Sequence, residues 1–448
     1  VLVFLSQPVA RLFEDEEYMA SPTTLKDTVS HPETQPNAAD NVLPDTAQPA
    51  AAPLYPAAIL QTDEQALSAA HELAAAAHTQ AILRDRERKL PWDLVEQFTR
   101  SGLGSIAIPR EYGGPQLSFA TIAEVFRIIS AADPSVGQIP QNQFGLIGLI
   151  NSAATPSQRQ RIFSSVLNGW RIGNAGPERN SKHTLDIRAR LQKRDGRWFI
   201  NGEKFYSTGA LFAHWVAAKA LDEKNQPVLA LIQRKRPGLR IINDWSGFGQ
   251  RTTASGTVFL HNVEVDEDNL IPLAPLAERP NIQGAFSQLI QAAIDAGIAA
   301  GALRDTIAFI REKSRPWIDA NVERASDDPY VIADIGRLQI SLHAAEILLR
   351  KAARVLDEVS LKPIDADSSA RASIAVAEAK VLSTQISLQA GEKLLELAGS
   401  RATLAEFGLD RHWRNARTHT LHDPVRWKYH AIGAYHLNGS RPARHSWI

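Results

Sequence analysis

Two histidines three residues apart, His419 and His422, sit in the stretch RTHTLHDPVRWKYH (417–430), and they belong to a crowd. Of the chain's 13 histidines, His412, His419, His422, His430, His436 and His445 all fall after residue 408. An imidazole near its ordinary pKa gives or takes a proton at neutral pH, and its neutral form ligates metals. Metal binding, proton transfer and plain packing are therefore the chemistries open to the pair. A metal at this spacing calls for a third histidine or a paired carboxylate at helical spacing, and neither is present. No metal is expected. Proton transfer by at least one of the two is the reading taken forward, with packing or exposure of both as the alternative. His412, His430, His436 and His445 are read as surface or capping residues.

The bulk properties bound what such a pair could serve. At 448 residues the chain is long enough for two or three domains or one large layered unit. Its 49 basic and 49 acidic residues cancel, which argues against bulk capture of nucleic acid or an anionic membrane. It has no cysteine, so disulfides, thiolate nucleophiles and cysteine-held metals are excluded, and a cytoplasmic location is expected. No apolar run approaches the roughly 18 residues that span a bilayer. The opening VLVFLSQPVARLF lacks the basic start and length of a signal peptide. The only methionine is Met19, so translation is expected to begin there, with residues 1–18 an upstream extension. Residues 20–55 are rich in Pro, Ala, Asp and Thr and bury too little to offset their ordering entropy. Residues 1–56 are accordingly read as a disordered tail.

The elements that must position the histidines follow in three blocks. Residues 57–165 read as an α domain: DEQALSAAHELAAAAHTQAILRDRERKL, PWDLVEQFTRSGL and FATIAEVFRIISAAD carry helical spacing, and IPREYGGPQLS is a loop between them. Residues 166–280 read as an antiparallel β domain of short strands, with Asp195-Gly196 and Asn201-Gly202 as turn dipeptides. Residues 281–448 hold three long apolar stripes that would pack as a four-helix-type bundle. The fold class is α+β, mainly α.

That order, with its motifs, resembles the acyl-CoA dehydrogenase superfamily over about residues 57–440. IPREYGGPQLSF is similar to the family's loop after the early helices. WFINGEKFYSTGALFAHWV resembles its flavin-lining entry to the β domain, and GFGQRTTASGTVFLHNVEVDEDNLI resembles a later segment of it. The departures say more. GNAGPERNSKHT stands where the dehydrogenases keep a Thr-Glu-Pro motif, with Asn174-Ala175 in place of the usual polar pair. LHDP stands where many dehydrogenases carry a catalytic carboxylate, so His422 occupies that position. RNARTHTLHDP with KFYSTG is similar to the monooxygenase branch, which holds dibenzothiophene monooxygenase and the sulfone and sulfur-acquisition oxidoreductases. PSVGQIPQNQFG (134–145) resembles the sulfur-acquisition proteins, whereas the dibenzothiophene enzyme has His and Tyr where this chain has Gln138 and Asn142.

The resemblance implies an acyl-CoA dehydrogenase-like architecture and a two-component monooxygenase. Reduced FMN from a separate NAD(P)H-dependent flavin reductase would activate O₂ as a C4a-hydroperoxyflavin and oxygenate a small organosulfur compound in sulfur acquisition; FAD is the alternative cofactor. It further implies catalytic roles for His422, Thr208 and Asn174. Cofactor contacts would come from Asn142, Asn174, Ala175, Ser207, Thr208, Trp245 and His419, and a substrate pocket from Gln138, Phe205, Tyr206 and Phe248. Arg315 would reach the flavin of a neighbouring subunit and Arg401 that of its own or an adjacent chain, in a homotetramer. Two rivals stand beside this reading. One is an FAD-dependent acyl-CoA dehydrogenase with its base elsewhere, for instance Glu392. The other is a nucleic-acid-associated relative, which the neutral charge disfavours.

Overall fold

Thr62 opens the first helix with a capping box, accepting the Gln65 N–H while the Gln65 side chain accepts the Thr62 N–H. The helix α1 (Asp63–Thr79) then buries Ala66, Ala70, Leu73 and Ala77 at successive turns. In the computed structural model, which describes residues 52–53 and 55–448, six more helices precede the sheet. They are α2 (Ala81–Glu87), α3 (Trp92–Arg100), α4 (Phe119–Ala132), α5 (Pro134–Gln138), α6 (Gln141–Ala153) and α7 (Pro156–Leu167). The expected upstream extension lies outside the described residues, as does all but the last few positions of the expected tail.

The sheet strands are β1 (Ile172–Ala175), β2 (Arg190–Arg194), β3 (Arg197–Lys204), β4 (Trp215–Leu221), β5 (Pro227–Gln233), β6 (Leu239–Ile241), β7 (Val258–Val265) and β8 (Leu270–Pro272). They pair in the order β6-β7-β3-β2-β4-β5-β8, with β1 also on β4. Two corrections to the strand reading follow. The sheet is mixed, because β1 and one residue of β2 join β4 in parallel. Four-residue β1 has no hairpin partner next to it in sequence, so nothing local announced its direction. Asp195-Gly196 is the β2–β3 turn, both residues having positive φ. Asn201-Gly202 is not a turn; it lies inside β3, where the pairing with β7 shifts register. A Cβ on Gly202 would meet the Ala189 Cβ at 2.6 Å, so close approach, not chain reversal, requires this glycine.

After β8 come α8 (Ala274–Glu278), α9 (Gln283–Glu312), α10 (Pro329–Ser360), α11 (Ala366–Ala398), α12 (Asp410–His419) and α13 (Arg426–Asn438). α9 packs against α4, α10 and α11, and α10 also meets α4. Gly297 and Gly301 let α4 approach: a Cβ at either would stand 2.5 or 2.4 Å from the carbonyl oxygen of Arg127 or Ala131. α9 has the length and mean hydropathy of a membrane span, but 89% of that window is buried among other helices, as in a core helix. One apolar cluster joins Leu73, Phe126, Leu289, Leu349 and Val376, so α1 and α4 share their core with the C-terminal helices.

Two buried histidines make this packing sensitive to acid. His214 Nδ1 accepts the Arg171 N–H at 3.0 Å, and burial, with Arg171 and Arg234 nearby, lowers its pKa to about 3. Burial and Arg411 outweigh Asp305 at His412 and lower it to about 4. Both rings stay neutral in the fold at pH 5 but take up a proton when unfolded. The stability present above the ordinary histidine pKa is therefore lost as pH falls toward these values. Between pH 7.5 and 5 the unfolding free energy should drop by about 2 kcal/mol per histidine. Urea titrations at the two pH values measure this, and equal midpoints would contradict it.

Candidate active site

A cleft of about 170 Å³ forms where β1, β4, α6, the first turn of α9, the α12–α13 link and the last residues of the chain converge. Asn142, Asn174, Lys219, Gln283, Ser287 and His422 are among its walls, and no aspartate or glutamate is. Asn174 is set by strand register. Its N–H donates to the Thr208 carbonyl at 3.2 Å, and its Oδ1 accepts the Gly176 N–H at 3.1 Å. Gln283 also borders a larger cavity of about 830 Å³ on the far side of α6. Its amide donates to the Gly145 carbonyl at 2.5 Å, so one side chain stands between the two spaces.

His422 is held from behind. Its Nδ1 lies 3.2 Å from Asp423 Oδ1, and the other Asp423 oxygen lies 3.2 Å from Lys428 Nζ. Lys428 also donates to the Trp447 main-chain carbonyl. Asp423 and Lys428 are almost without exposed surface, while the His422 side chain is about one-third exposed. Burial alone would raise the Asp423 carboxyl. The His422 hydrogen bond and the charges of Lys380 and Lys428 hold it below the usual carboxylate range instead. An ionised Asp423 accepts a hydrogen bond from His422 Nδ1–H and leaves Nε2 without a partner among the described residues, the arrangement a proton-transfer histidine needs.

His419 has a different place. The ring expected beside a flavin is buried, with Nδ1 2.5 Å from Asp295 Oδ1 and Nε2 3.1 Å from the Gln138 side-chain amide. Both nitrogens are occupied inside the protein, so as placed it offers no cofactor contact. The same bond takes Gln138 out of the cleft wall and into the packing behind it. Asp295 also accepts from Lys380 Nζ at 2.6 Å and from Thr384 Oγ1 at 3.1 Å, and both members of the lysine pair have no exposed side-chain surface. Burial pushes His419 below its ordinary pKa despite Asp295; Asp295 is held low by Lys380 and His419 although burial opposes this.

The remaining expected residues form a second group. Ser207 and Thr208 are buried beside Asn174, and Ala175 is fully buried on β1. Thr208 begins a hydroxyl chain, 2.6 Å to Ser255 and 2.7 Å on to Thr253. Phe205, Tyr206 and Trp245 make an aromatic trio with centroids 4.8–6.3 Å apart. Phe248 is half exposed, faces Trp413 at 6.0 Å and lines no wall of the cleft. Arg315 and Arg401 are exposed at the far end of α9, where Arg401 donates to the Lys313 carbonyl at 3.3 Å. Since a helix rises 1.5 Å per residue, roughly 40 Å separate that end from Ser287. Within one chain these arginines and the cleft do not meet. Asp423, Lys428, Asp295, Lys380 and Lys219 went unassigned in the sequence, although Asp295 is the single acid between Gln283 and Arg304 and could have been noticed for that.

The residues present fit a flavin. Ser207 Oγ is buried without a hydrogen-bond partner, as are both amide atoms of Gln250, whose carbonyl takes the Trp245 indole N–H at 2.9 Å. Polar atoms left this way normally mark a missing partner.

With that geometry in view, the comparisons with known proteins are direct. Residues 61–170 match the family model of the acyl-CoA dehydrogenase N-terminal domain and residues 289–427 that of the C-terminal domain. Dibenzothiophene monooxygenase of Rhodococcus erythropolis is 34% identical over 397 residues, covering 85% of this chain and 95% of the relative. The crystal structure of TdsC from Paenibacillus sp. A11-2 with FMN and indole is 32% identical, covers 86% of this chain and 100% of that one, and superposes with a TM-score of 0.81. Methanesulfinate monooxygenase MsuC of Pseudomonas fluorescens is 30% identical, with 85% and 99% covered and a TM-score of 0.79. The chain belongs to the acyl-CoA dehydrogenase superfamily, in the group that contains the dibenzothiophene monooxygenases.

The buried pair behind the cleft can be tested without substrate. Lys380→Met strands an anion in the core and should lower the unfolding free energy by about 3–5 kcal/mol. Asp295→Leu combined with Lys380→Met should be more stable than Lys380→Met alone, since the charges leave together, with a remaining deficit of about 1–3 kcal/mol from the unpaired His419 and Thr384 donors. A single variant as stable as the parent in urea would show that the pair does not hold these helices.

Proposed function

We propose that the chain is a two-component flavin monooxygenase that oxygenates a small organosulfur compound. The observation that carries this is the composition of the cleft: an oriented histidine, His422, with the amides of Asn142 and Asn174 and no carboxylate wall. An acyl-CoA dehydrogenase needs a carboxylate base facing its cleft, at the His422 position or from elsewhere in the chain. Glu392, the acid held in reserve for that reading, is exposed on α11 and outside the cleft lining.

FMN, reduced by a separate NAD(P)H-dependent reductase, would supply two electrons for activating O₂. The chain's part is positioning and proton control. Ser207, Thr208, Asn174, Ala175 and Trp245 would hold the ring system, with Asn142 across the cleft. Neutral hydroxyl and amide donors steady developing negative charge without adding a strong acid. His422, its Nδ1 fixed by Asp423, would move the proton at Nε2. The aromatic trio would keep water away. Arg315 and Arg401, far from their own cleft and exposed, would meet the flavin of a neighbouring subunit in a homotetramer. Lack of cysteine and the need for a cellular reductase fit a cytoplasmic enzyme acting in sulfur acquisition.

Mass spectrometry of the product formed under ¹⁸O₂ tests this. One labelled oxygen on sulfur is expected, and bleaching of the bound flavin by an acyl-CoA without oxygen would favour the dehydrogenase instead. His422→Phe should lower product formation at least a hundredfold while FMN affinity and the circular dichroism spectrum stay as in the parent; undiminished product removes His422 from the chemistry. Arg315→Ala should weaken FMN binding about tenfold by fluorescence titration, and equal affinity would refute its phosphate role.

A further inference from the structure

One charged side chain in the cleft has no counterpart. Lys219 lies in the middle of β4, whose other residues are all apolar, and it is half-buried against the cleft. Its aliphatic stem passes over Gly176, where a Cβ would come within 3.7 Å of its Cδ. No hydrogen bond or ion pair reaches its ammonium among the described residues, and burial lowers its pKa with no opposing charge. The acid on the loop after β1 is committed elsewhere. Glu178 is ion-paired to Lys204 at 2.6 Å and accepts the N–H groups of Arg188 and Ala189. The cleft thus has one cation, no anion, and a ring of neutral donors that includes the unpartnered Asn142 amide and the amide of Asn174. An ammonium partly withdrawn from water without a partner is favourably placed to take an anion that completes the pair.

We propose that Lys219 recognises the charge of the substrate, and that the substrate is a small organic sulfinate. Anion recognition stands on the cleft alone; the choice of sulfinate rests on the monooxygenase reading above. An acceptor of oxygen must keep a lone pair on sulfur. A sulfinate, R–SO₂⁻, combines that lone pair with a compact negative charge, whereas a sulfonate has the charge and no lone pair, and a thiophene has the lone pair and no charge. In the transfer, the sulfur lone pair forms a new S–O bond to one atom of O₂ and the O–O bond breaks. The second oxygen leaves as water with two protons, reduced FMN gives up two electrons, and the product is the sulfonate. Lys219 would pair with the sulfinate oxygens and the Asn142 and Asn174 amides would donate to them, leaving sulfur turned toward the flavin edge.

Calorimetric titration of the flavin-free protein with methanesulfinate and with neutral dimethyl sulfoxide, at matched ionic strength, tests this apart from turnover. The sulfinate should bind at least tenfold more tightly. Lys219→Met should lose at least tenfold for the sulfinate and nothing for the sulfoxide, Lys219→Arg should keep sulfinate binding within about threefold, and Lys219→Gln should repeat the loss if the Met variant folds poorly. FMN affinity and melting temperature should be unchanged in these variants. Equal binding of the two compounds by the parent, retained sulfinate affinity in Lys219→Met and Lys219→Gln, weakened FMN affinity, or equally tight inorganic sulfate would each overturn the assignment. Sulfinate binding without ¹⁸O incorporation would sink the monooxygenase function and leave the anion site; oxygenation of a neutral thiophene undiminished in Lys219→Met would do the reverse.

Discussion

Asp295 and Lys380 form an ion pair with no exposed surface, and the cleft stands on it. The pair ties the middle of α9 to α11, and through His419 it reaches the last turn of α12. Charges taken this far from water persist only when every lone pair and proton finds a partner. Here Thr384 and His419 share the Asp295 carboxylate with Lys380, and Gln138 takes the far nitrogen of His419. Three helices and α5 are thereby fixed in register. The chain that leaves α12 must then present His422 three residues after a ring that cannot move. A salt bridge of this kind adds little net stability, since an apolar replacement would pack as well; what it contributes is a single arrangement of the helices.

Asp423 and Lys428 repeat the device one step nearer the surface. Each buried carboxylate orients one histidine, and each is balanced by one buried lysine. The inner histidine is closed on both nitrogens, the outer one on Nδ1 alone. That difference separates a packing residue from one able to exchange a proton with a ligand. The two rings share sequence neighbourhood, residue type and helical spacing, so only their partners distinguish them.

The β domain contributes the opposite face by register. β1 and β4 lie parallel, which brings Asn174 and Lys219 toward the same cleft, and the Asn174 N–H fastens β1 to the segment that carries Ser207 and Thr208. The Lys204–Glu178 pair holds the loop after β1 against β3 and uses up the acid that might have neutralised Lys219. A cleft with an uncompensated cation and no carboxylate is poorly suited to abstracting a proton from a thioester. It is well suited to holding an oxyanion beside a flavin.

Helix spacing, the Asp195-Gly196 turn and the motifs KFYSTG and RTHTLHDP were sufficient, from the sequence, for the order of helical and strand blocks and for the superfamily. These are local signals: a stripe, a hairpin turn or a motif survives without knowledge of what it packs against. The parallel placement of β1, the bulge at Gly202 and the shared core of α1, α4 and α9 were not legible, because each depends on a partner far away in the chain. The same holds for the histidines. Sequence set them three apart and limited the chemistry to protons; His422 takes its chain neighbour Asp423, whereas His419 meets Asp295, 124 residues away, only because helix packing brings them together. Charge balance around Lys219 belongs to the tertiary structure for the same reason: an ion pair is a property of distance in space, and a sequence with equal numbers of acids and bases does not say which cation is left over.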